Sequence, residues 1–275
     1  MMYPLQNWRL LISPPASGAW NMAVDEVILE EVEQKIAPST LRLFDWEPAC
    51  LSLGYAQPWS DIDQERLNSL GWDWVRRPTG GRAILHTDEL TYSVIAPLSD
   101  PRVSGGVLES YQRLSSALLS ALHYLQLPAE SLPGKSHRFN NESGAVCFQV
   151  PSNYEITAQG KKMIGSAQAR RKKTLLQHGT FPLRGDLSRI TKVLVFSDEH
   201  ARIDASSRLL KNATTAETIL GRHIPWQEAV NAFIFGFQSE LNLEFTPISL
   251  SAHEIKRVNE LIQDKYAHPT WLERI

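Results

Sequence analysis

A chain of 275 residues, 43% hydrophobic and 21% charged, has the composition of a globular protein with one large core or two small ones. A formal net charge of −2 argues against nucleic acid or an anionic membrane as partner of the whole molecule, and no run approaches the roughly 18 apolar residues of a membrane span. Only two cysteines occur, Cys50 and Cys147, which excludes a disulfide framework; the N-terminal segment lacks the order of a secretory signal, so a reduced, cytoplasmic protein is expected.

Ser17 opens a helical stretch with Trp20, Ala23, Val24, Val27 and Ile28 on one face and Glu30 and Glu31 off it. "TLRLF" and "CLSLGY" read as short strands separated by a turn at Glu47 and Pro48, and "SDIDQERLNSLG" as a capped helix stopped by Gly71. "WDWVRR" is a strand leading into the loop of "RRPTGGRAILH", and "ELTYSVIA" is the strand that leaves it. Residues 107–126 carry the clearest helical period, with Leu108, Tyr111, Leu114, Leu118, Ala121, Leu122 and Leu125 on one stripe. "GKSHRFNNESGAVC" reads as a surface loop ending at Cys147. "SNYEITA", "KKMIGSAQA" and "TLLQHGTFPL" then form an antiparallel meander. The rest is mostly helical, with caps at Asp186, at Thr214 with Glu217, and at Ser251 with Glu254, and a proline start at "PWQEAVNAFIFGF". No repeat or linker divides the chain. Strands mixed with segregated helices imply an α+β fold with a largely antiparallel sheet.

Cys147 stands where an irregular polar loop meets "CFQV", after Asn140, Asn141, Glu142 and Ser143. It reads either as a small buried apolar residue or as a nucleophile that needs a nearby cation to lower its thiol pKa. Cys50, among apolar neighbours, fits the first reading. Lys162, at the turn end of the expected hairpin, is the candidate cation, and equally a solvated turn lysine. His86 and His178 read as core histidines or as titratable site residues. No spacing fits a metal site, a nucleophile elbow or a phosphate-binding glycine loop. The run Arg170, Arg171, Lys172 and Lys173 reads as a solvated hairpin turn that also attracts an acidic partner.

"NMAVDEVILEE", "RRPTGGRAILH", "ELTYSVIAP", "GKKMIGSAQARR" and "LLQHGT" occur in the order of the lipoate–protein ligase, biotin ligase and octanoyltransferase superfamily, and the chain most closely resembles its LipM-type octanoyltransferases. The resemblance implies a lipoate-ligase-like catalytic domain over residues 1–248, with the superfamily core at about 33–248, and a C-terminal helical segment 249–275 that is not a separate domain. Its mixed sheet is mostly antiparallel with flanking helices. By the same resemblance Cys147 accepts the acyl group and Lys162 is the family's lysine. The substrate is bound by Arg76, Gly80, Gly81, His86, Gly165, Ser166, Ala167 and His178, with the glycine pair lining the acyl tunnel.

The implied reaction carries octanoyl from octanoyl–acyl carrier protein, through an acyl-cysteine, to a lysine of a lipoyl-accepting protein such as glycine cleavage H protein or a lipoyl domain. It needs no metal, nucleotide or other cofactor. Arg82 stands where ATP-using ligases usually carry a third glycine, which favours the transferase. An ATP-dependent lipoate–protein ligase and a lipoyl-domain octanoyl amidotransferase are the alternatives, and a non-enzymatic carrier-binding module is a third.

Overall fold

The computed structural model describes residues 3–132 and 155–275; Cys147 and the loop before it lie outside the described residues. Eight strands form one sheet and three a smaller one. In chain order the elements begin β1 (Gln6–Ile12), α1 (Gly18–Glu33), β2 (Thr40–Phe44), β3 (Cys50–Leu53), α2 (Gln64–Ser69), β4 (Asp73–Arg76), β5 (Ile84–His86), β6 (Glu89–Pro97), α3 (Val107–Tyr124) and β7 (Ala129–Leu132). They continue with β8 (Glu155–Ala158), β9 (Lys161–Arg171), β10 (Thr174–Pro182), a 3-10 segment Leu187–Val193, α4 (Glu199–Asn212), α5 (Ala216–Leu220), α6 (Trp226–Leu241), β11 (Leu243–Pro247), α7 (Ala252–Leu261), a π-helical turn Ile262–Tyr266 and α8 (Pro269–Leu272).

The large sheet runs β11-β1-β2-β6-β10-β9-β8-β7 and the small one β4-β3-β5. The meander β8-β9-β10 is antiparallel as expected, and β6 joins it antiparallel on the other side of β10. The edge β11-β1-β2 is parallel. "TLRLF" and "CLSL", adjacent in sequence, go to different sheets.

Period-two alternation divides the large sheet between two cores. Leu41, Leu43, Leu90, Tyr92, Val94, Ala96, Leu175 and Phe181 face α3 and α6, whereas Phe44, Ile95 and Leu176 face α1 and the C-terminal helices. On the first side, α3 and α6 approach so closely that a Cβ on Gly236 would stand 2.3 Å from the Ala117 carbonyl oxygen. On the second, α1 is buried on nearly every side, not on one face, because α7 covers the side away from the sheet. Glu30 accepts from Arg257 Nε at 3.0 Å, and Glu31 pairs with His253 at 3.1 Å.

Caps explain where helices begin. Ser17 accepts from Trp20 N–H, Asp63 from Arg66 N–H, and Ser251 with Glu254 forms the expected capping box. α5 is capped by Thr215 rather than Thr214, because Thr214 N–H donates to the Lys162 carbonyl at 3.1 Å and holds residue 214 against β9. Glu254 also receives Arg9 of β1 at 2.5 Å, tying the start of α7 to the sheet edge.

Candidate active site

Strand β4 delivers Arg76 and Arg77 into the loop Pro78–Arg82, and both arginines turn inward. Arg77 Nη1 donates to the Ser52 carbonyl (2.9 Å) and hydroxyl (3.1 Å), and its Nη2 to the carbonyls of Gly80 (2.9 Å) and Arg82 (2.8 Å). The loop is thus folded around its own guanidinium. Gly81 has φ +93°, and a Cβ on Gly54 would lie 1.8 Å from the Gly81 carbonyl oxygen, so both positions require glycine for the chain's own packing. Gly80 differs: among the described residues a Cβ there would meet nothing within 4 Å.

Arg76 Nη1 donates to the carbonyls of Gly54 (3.0 Å) and Gln57 (2.6 Å), while its Nε donates to those of Trp271 (3.1 Å) and Leu272 (2.9 Å). Trp271 Nε1 returns a hydrogen bond to the Arg76 carbonyl at 2.9 Å. These partners are the chain's own main-chain carbonyls. They lash the loop region to the C-terminal helix.

β10 places His178 opposite Ala167 of β9, Gly179 opposite Ser166 and Thr180 opposite Gly165. His178 Nε2 lies 2.6 Å from Thr79 Oγ1 in the glycine loop, and its Nδ1 lies 3.4 Å from Asp25 Oδ2 on α1. Asp25 in turn accepts from Arg42 (2.7 Å) and Ser93 (2.8 Å). Burial pushes the Asp25 carboxyl up, but the charges and hydrogen bonds of Arg42 and His178 hold it net below the usual range. Burial lowers His178 despite Asp25, and the charges of Arg77 and His86 add to the lowering. The pair is therefore a carboxylate and a neutral imidazole: Nδ1–H donates to Asp25, and Nε2 accepts from the Thr79 hydroxyl.

His86 forms a second chain beside the first. Its Nδ1 lies 2.7 Å from Glu89 Oε1, its Nε2 lies 2.8 Å from Ser52 Oγ, and its ring stacks on Trp46 with centroids 4.0 Å apart. Ser52 Oγ also accepts from Arg77 Nη1, so this hydroxyl joins the histidine to the glycine loop. Thr91 links this chain to the large sheet, donating to Glu89 at 2.5 Å and accepting from Trp46 Nε1 at 2.7 Å.

On the opposite face, the Tyr92 phenol accepts from Gln177 Nε2 (2.8 Å) and shares a hydrogen bond with Ser166 Oγ (2.7 Å), while Tyr111 O–H donates to the Ser166 carbonyl (2.9 Å). Burial raises the Tyr92 phenol well above its ordinary range, so it stays protonated. Thr180 Oγ1, on the His178 face of β10, is buried with no hydrogen-bond partner among the described residues.

Lys162 is 95% buried, pairs with Thr157 across the turn and lies at the turn end of β9, where the hairpin pattern put it. Cys50 is fully buried in the α1 core, and burial pushes its thiol well above the usual range. In the basic run, Arg170 donates to the Gly105 and Gly106 carbonyls, Arg171 pairs with Glu26 at 3.1 Å and Lys172 with Glu33 at 3.5 Å, so the turn is only partly solvated.

Sequence reasoning missed Asp25, Arg42, Ser52, Thr79 and Glu89. For Asp25 and Arg42 the available signal was charge inside an otherwise apolar stretch: the acidic pair of "AVDEV" and the lone arginine of "TLRLF". Among the described residues no three His, Cys, Asp or Glu side chains group as a metal site, and no helix is long and apolar enough to cross a membrane.

Residues 17–238 match the family described as the lipoyl protein ligase A/B catalytic domain. The octanoyltransferase LipM of Brevibacillus brevis is 38% identical over 272 residues, 97% of this chain and 99% of its own. That of Bacillus subtilis is 35% identical over 271 residues, 97% and 98% of the two chains. Among solved structures, a bipartite lipoate protein ligase from Thermoplasma acidophilum superposes with a TM-score of 0.81 at 22% identity, over 98% of this chain and 96% of that one. A lipoate-protein ligase A bound with ATP gives 0.77 at 24% identity, over 97% and 98%. These two structures establish the fold, a lipoate-ligase-like α+β architecture. By its sequence the chain belongs to the lipoyl protein ligase A/B catalytic family, with the LipM octanoyltransferases, and is an acyltransferase.

Proposed function

We propose that this enzyme transfers octanoyl from octanoyl–acyl carrier protein to a lysine of a lipoyl-accepting protein in lipoate biosynthesis, by way of an acyl thioester on Cys147. One observation carries the reading: the 2.6 Å contact between His178 and Thr79. It brings the "RRPTGGR" loop against the strand pair that holds "GKKMIGSA" and "LLQHGT", so three distant motifs converge on one polar layer between the two sheets.

In this reading the Cys147 thiolate attacks the thioester carbonyl, and the carrier's sulfur leaves and takes up a proton. The acceptor's amine, having lost a proton, then attacks the acyl-cysteine; the nitrogen gives up a second proton as the amide forms, and the Cys147 sulfur leaves and takes that proton up. Lys162 supplies the cation that favours the thiolate. The open side of Gly80 beside Gly81, and the backbone of Gly165–Ala167, flank the acyl group. Arg76 and His86 act by holding these segments, since their hydrogen bonds go to the protein's own groups.

The test is transfer without nucleotide. With octanoyl–acyl carrier protein and an apo lipoyl domain, the octanoyl-lysine amide should form in the absence of ATP. Free octanoate or lipoate with ATP and magnesium should give little product. Robust ATP-dependent transfer from free acid, unaffected by Cys147→Ser, would replace this reading with that of a ligase.

A further inference from the structure

Two sheets meet at this site. The glycine loop belongs to the small sheet, between β4 and β5, whereas His178 and Ala167 belong to the large one. Within its own sheet the loop is secured by Arg77, by the Gly54–Gly81 contact and by Tyr55 N–H donating to the Thr79 carbonyl at 2.9 Å. Across the gap, the Thr79 side chain gives the loop a hydrogen bond to the large sheet, beside the contact between His86 of β5 and Glu89 of β6. Thr79 is fully buried, so its hydroxyl has no competing water.

We propose that Thr79 and Asp25 are positioning residues for the acyl transfer: the chain Arg42–Asp25–His178–Thr79 sets the distance between the glycine loop and the strand β9 that carries Lys162. The proposal rests on the acyl-transfer reading of the same site. Each link has a defined direction. Arg42 is fixed by Asn21 and Ser13 and holds Asp25 from behind; Asp25 takes the Nδ1 hydrogen of His178; the bare Nε2 takes the Thr79 hydrogen. An acceptor nitrogen facing a buried hydroxyl has one good geometry, near the 2.6 Å observed. The loop inherits that geometry. Reacting groups misplaced by as little as 1 Å can lose about a hundredfold in rate, so this link between loop and strand matters to the chemistry.

Thr79→Val tests this with little change of shape, because it replaces the hydroxyl by a methyl group; Thr79→Ser keeps the hydroxyl. Two readouts are taken on the full-length enzyme. Hydrogen–deuterium exchange of a peptide covering the glycine loop, without substrate, should be about tenfold faster in Thr79→Val and within about twofold of wild type in Thr79→Ser. Octanoyl transfer from the acyl carrier protein should lose about tenfold in kcat in Thr79→Val with KM little changed, and Thr79→Ser should recover most of it. Asp25→Asn should show the same kcat loss if it folds, and Thr79→Val carries the test if it does not.

Loop exchange identical in Thr79→Val and wild type would overturn the proposal. So would faster exchange with an unchanged kcat, which would leave the link purely structural. A wild-type protein that shows Thr79-dependent loop protection but no octanoyl transfer would sink the acyl-transfer reading while the loop-holding chain stood.

Discussion

Arg42→Met tests whether the polar layer is held together by its buried ion pair. The side chains of Arg42 and Asp25 are both fully buried, 2.7 Å apart, and Arg42 also donates to the Asn21 carbonyl and side chain. Methionine keeps an unbranched stem against Phe44, whose ring lies 3.8 Å from the guanidinium carbon, so the substitution removes charge and hydrogen bonds more than volume. It leaves the Asp25 carboxylate buried with Ser93 and His178 as its partners among the described residues. Breaking one half of a buried pair costs about 3–5 kcal/mol, a large part of the roughly 5–15 kcal/mol that holds a domain folded. Asp25→Asn should cost a similar amount. The double variant should be no worse than the poorer single, giving a coupling of at least about 2 kcal/mol. Urea unfolding of the four proteins, followed by fluorescence of the eight tryptophans, measures this directly. Single losses under about 1 kcal/mol, or additive ones, would refute the claim that this pair organises the layer.

Gly236→Ala ordinarily stabilises a helix, but here its Cβ would press on the Ala117 carbonyl, so a loss of about 1–3 kcal/mol is expected; a gain in Tm would contradict the close α3–α6 contact. Asp45 is raised to about 6, first by burial and then by Glu89, Asp88 and Glu47 against the Trp46 N–H. Its raised folded pKa means a stabilising contribution that is complete below the ordinary value of 3.8 and lost as pH rises through about 6. Asp45→Asn should therefore be more stable than wild type by about 1–2 kcal/mol at pH 8, after discounting for solvent, and equal to it by about pH 4; a difference independent of pH would contradict this. Cys50→Ser should lose about 1–3 kcal/mol of stability by burying a hydroxyl, yet keep its octanoyl transfer. Lys162→Ala should slow alkylation of Cys147 by iodoacetamide near neutral pH, and an unchanged rate profile would remove Lys162 from the thiol's surroundings.

Elements with local signals were legible. The 107–126 stripe gave α3, the polar turns gave the β8-β9-β10 meander with Lys162 at its turn, and Ser17 and Ser251 marked helix starts. What the sequence concealed is non-local. β1 pairs in parallel with β11, joining Gln6 to Leu243, and no turn between them advertises the pairing. The all-round burial of α1 depends on α7, whose arrival is not written in the α1 sequence. Candidate residues divided along the same line. His178 and His86 were visible as titratable side chains; Glu89 lies only three residues from His86, but the partners Asp25, Thr79 and Ser52 come from three other segments and meet the histidines only in the folded chain. The glycine pair was legible as a permissive loop; that Gly81 serves the chain's own packing while Gly80 stays open required the geometry.

The central claim is covalent transfer through Cys147, and intact mass spectrometry tests it most directly. Wild-type enzyme mixed with octanoyl–acyl carrier protein, without ATP or acceptor, should gain the mass of one octanoyl group. The gain should be lost in Cys147→Ser, kept in Cys50→Ser and discharged on adding an apo lipoyl domain. An enzyme that turns over yet never carries the added mass, or carries it equally in Cys147→Ser, would contradict the account.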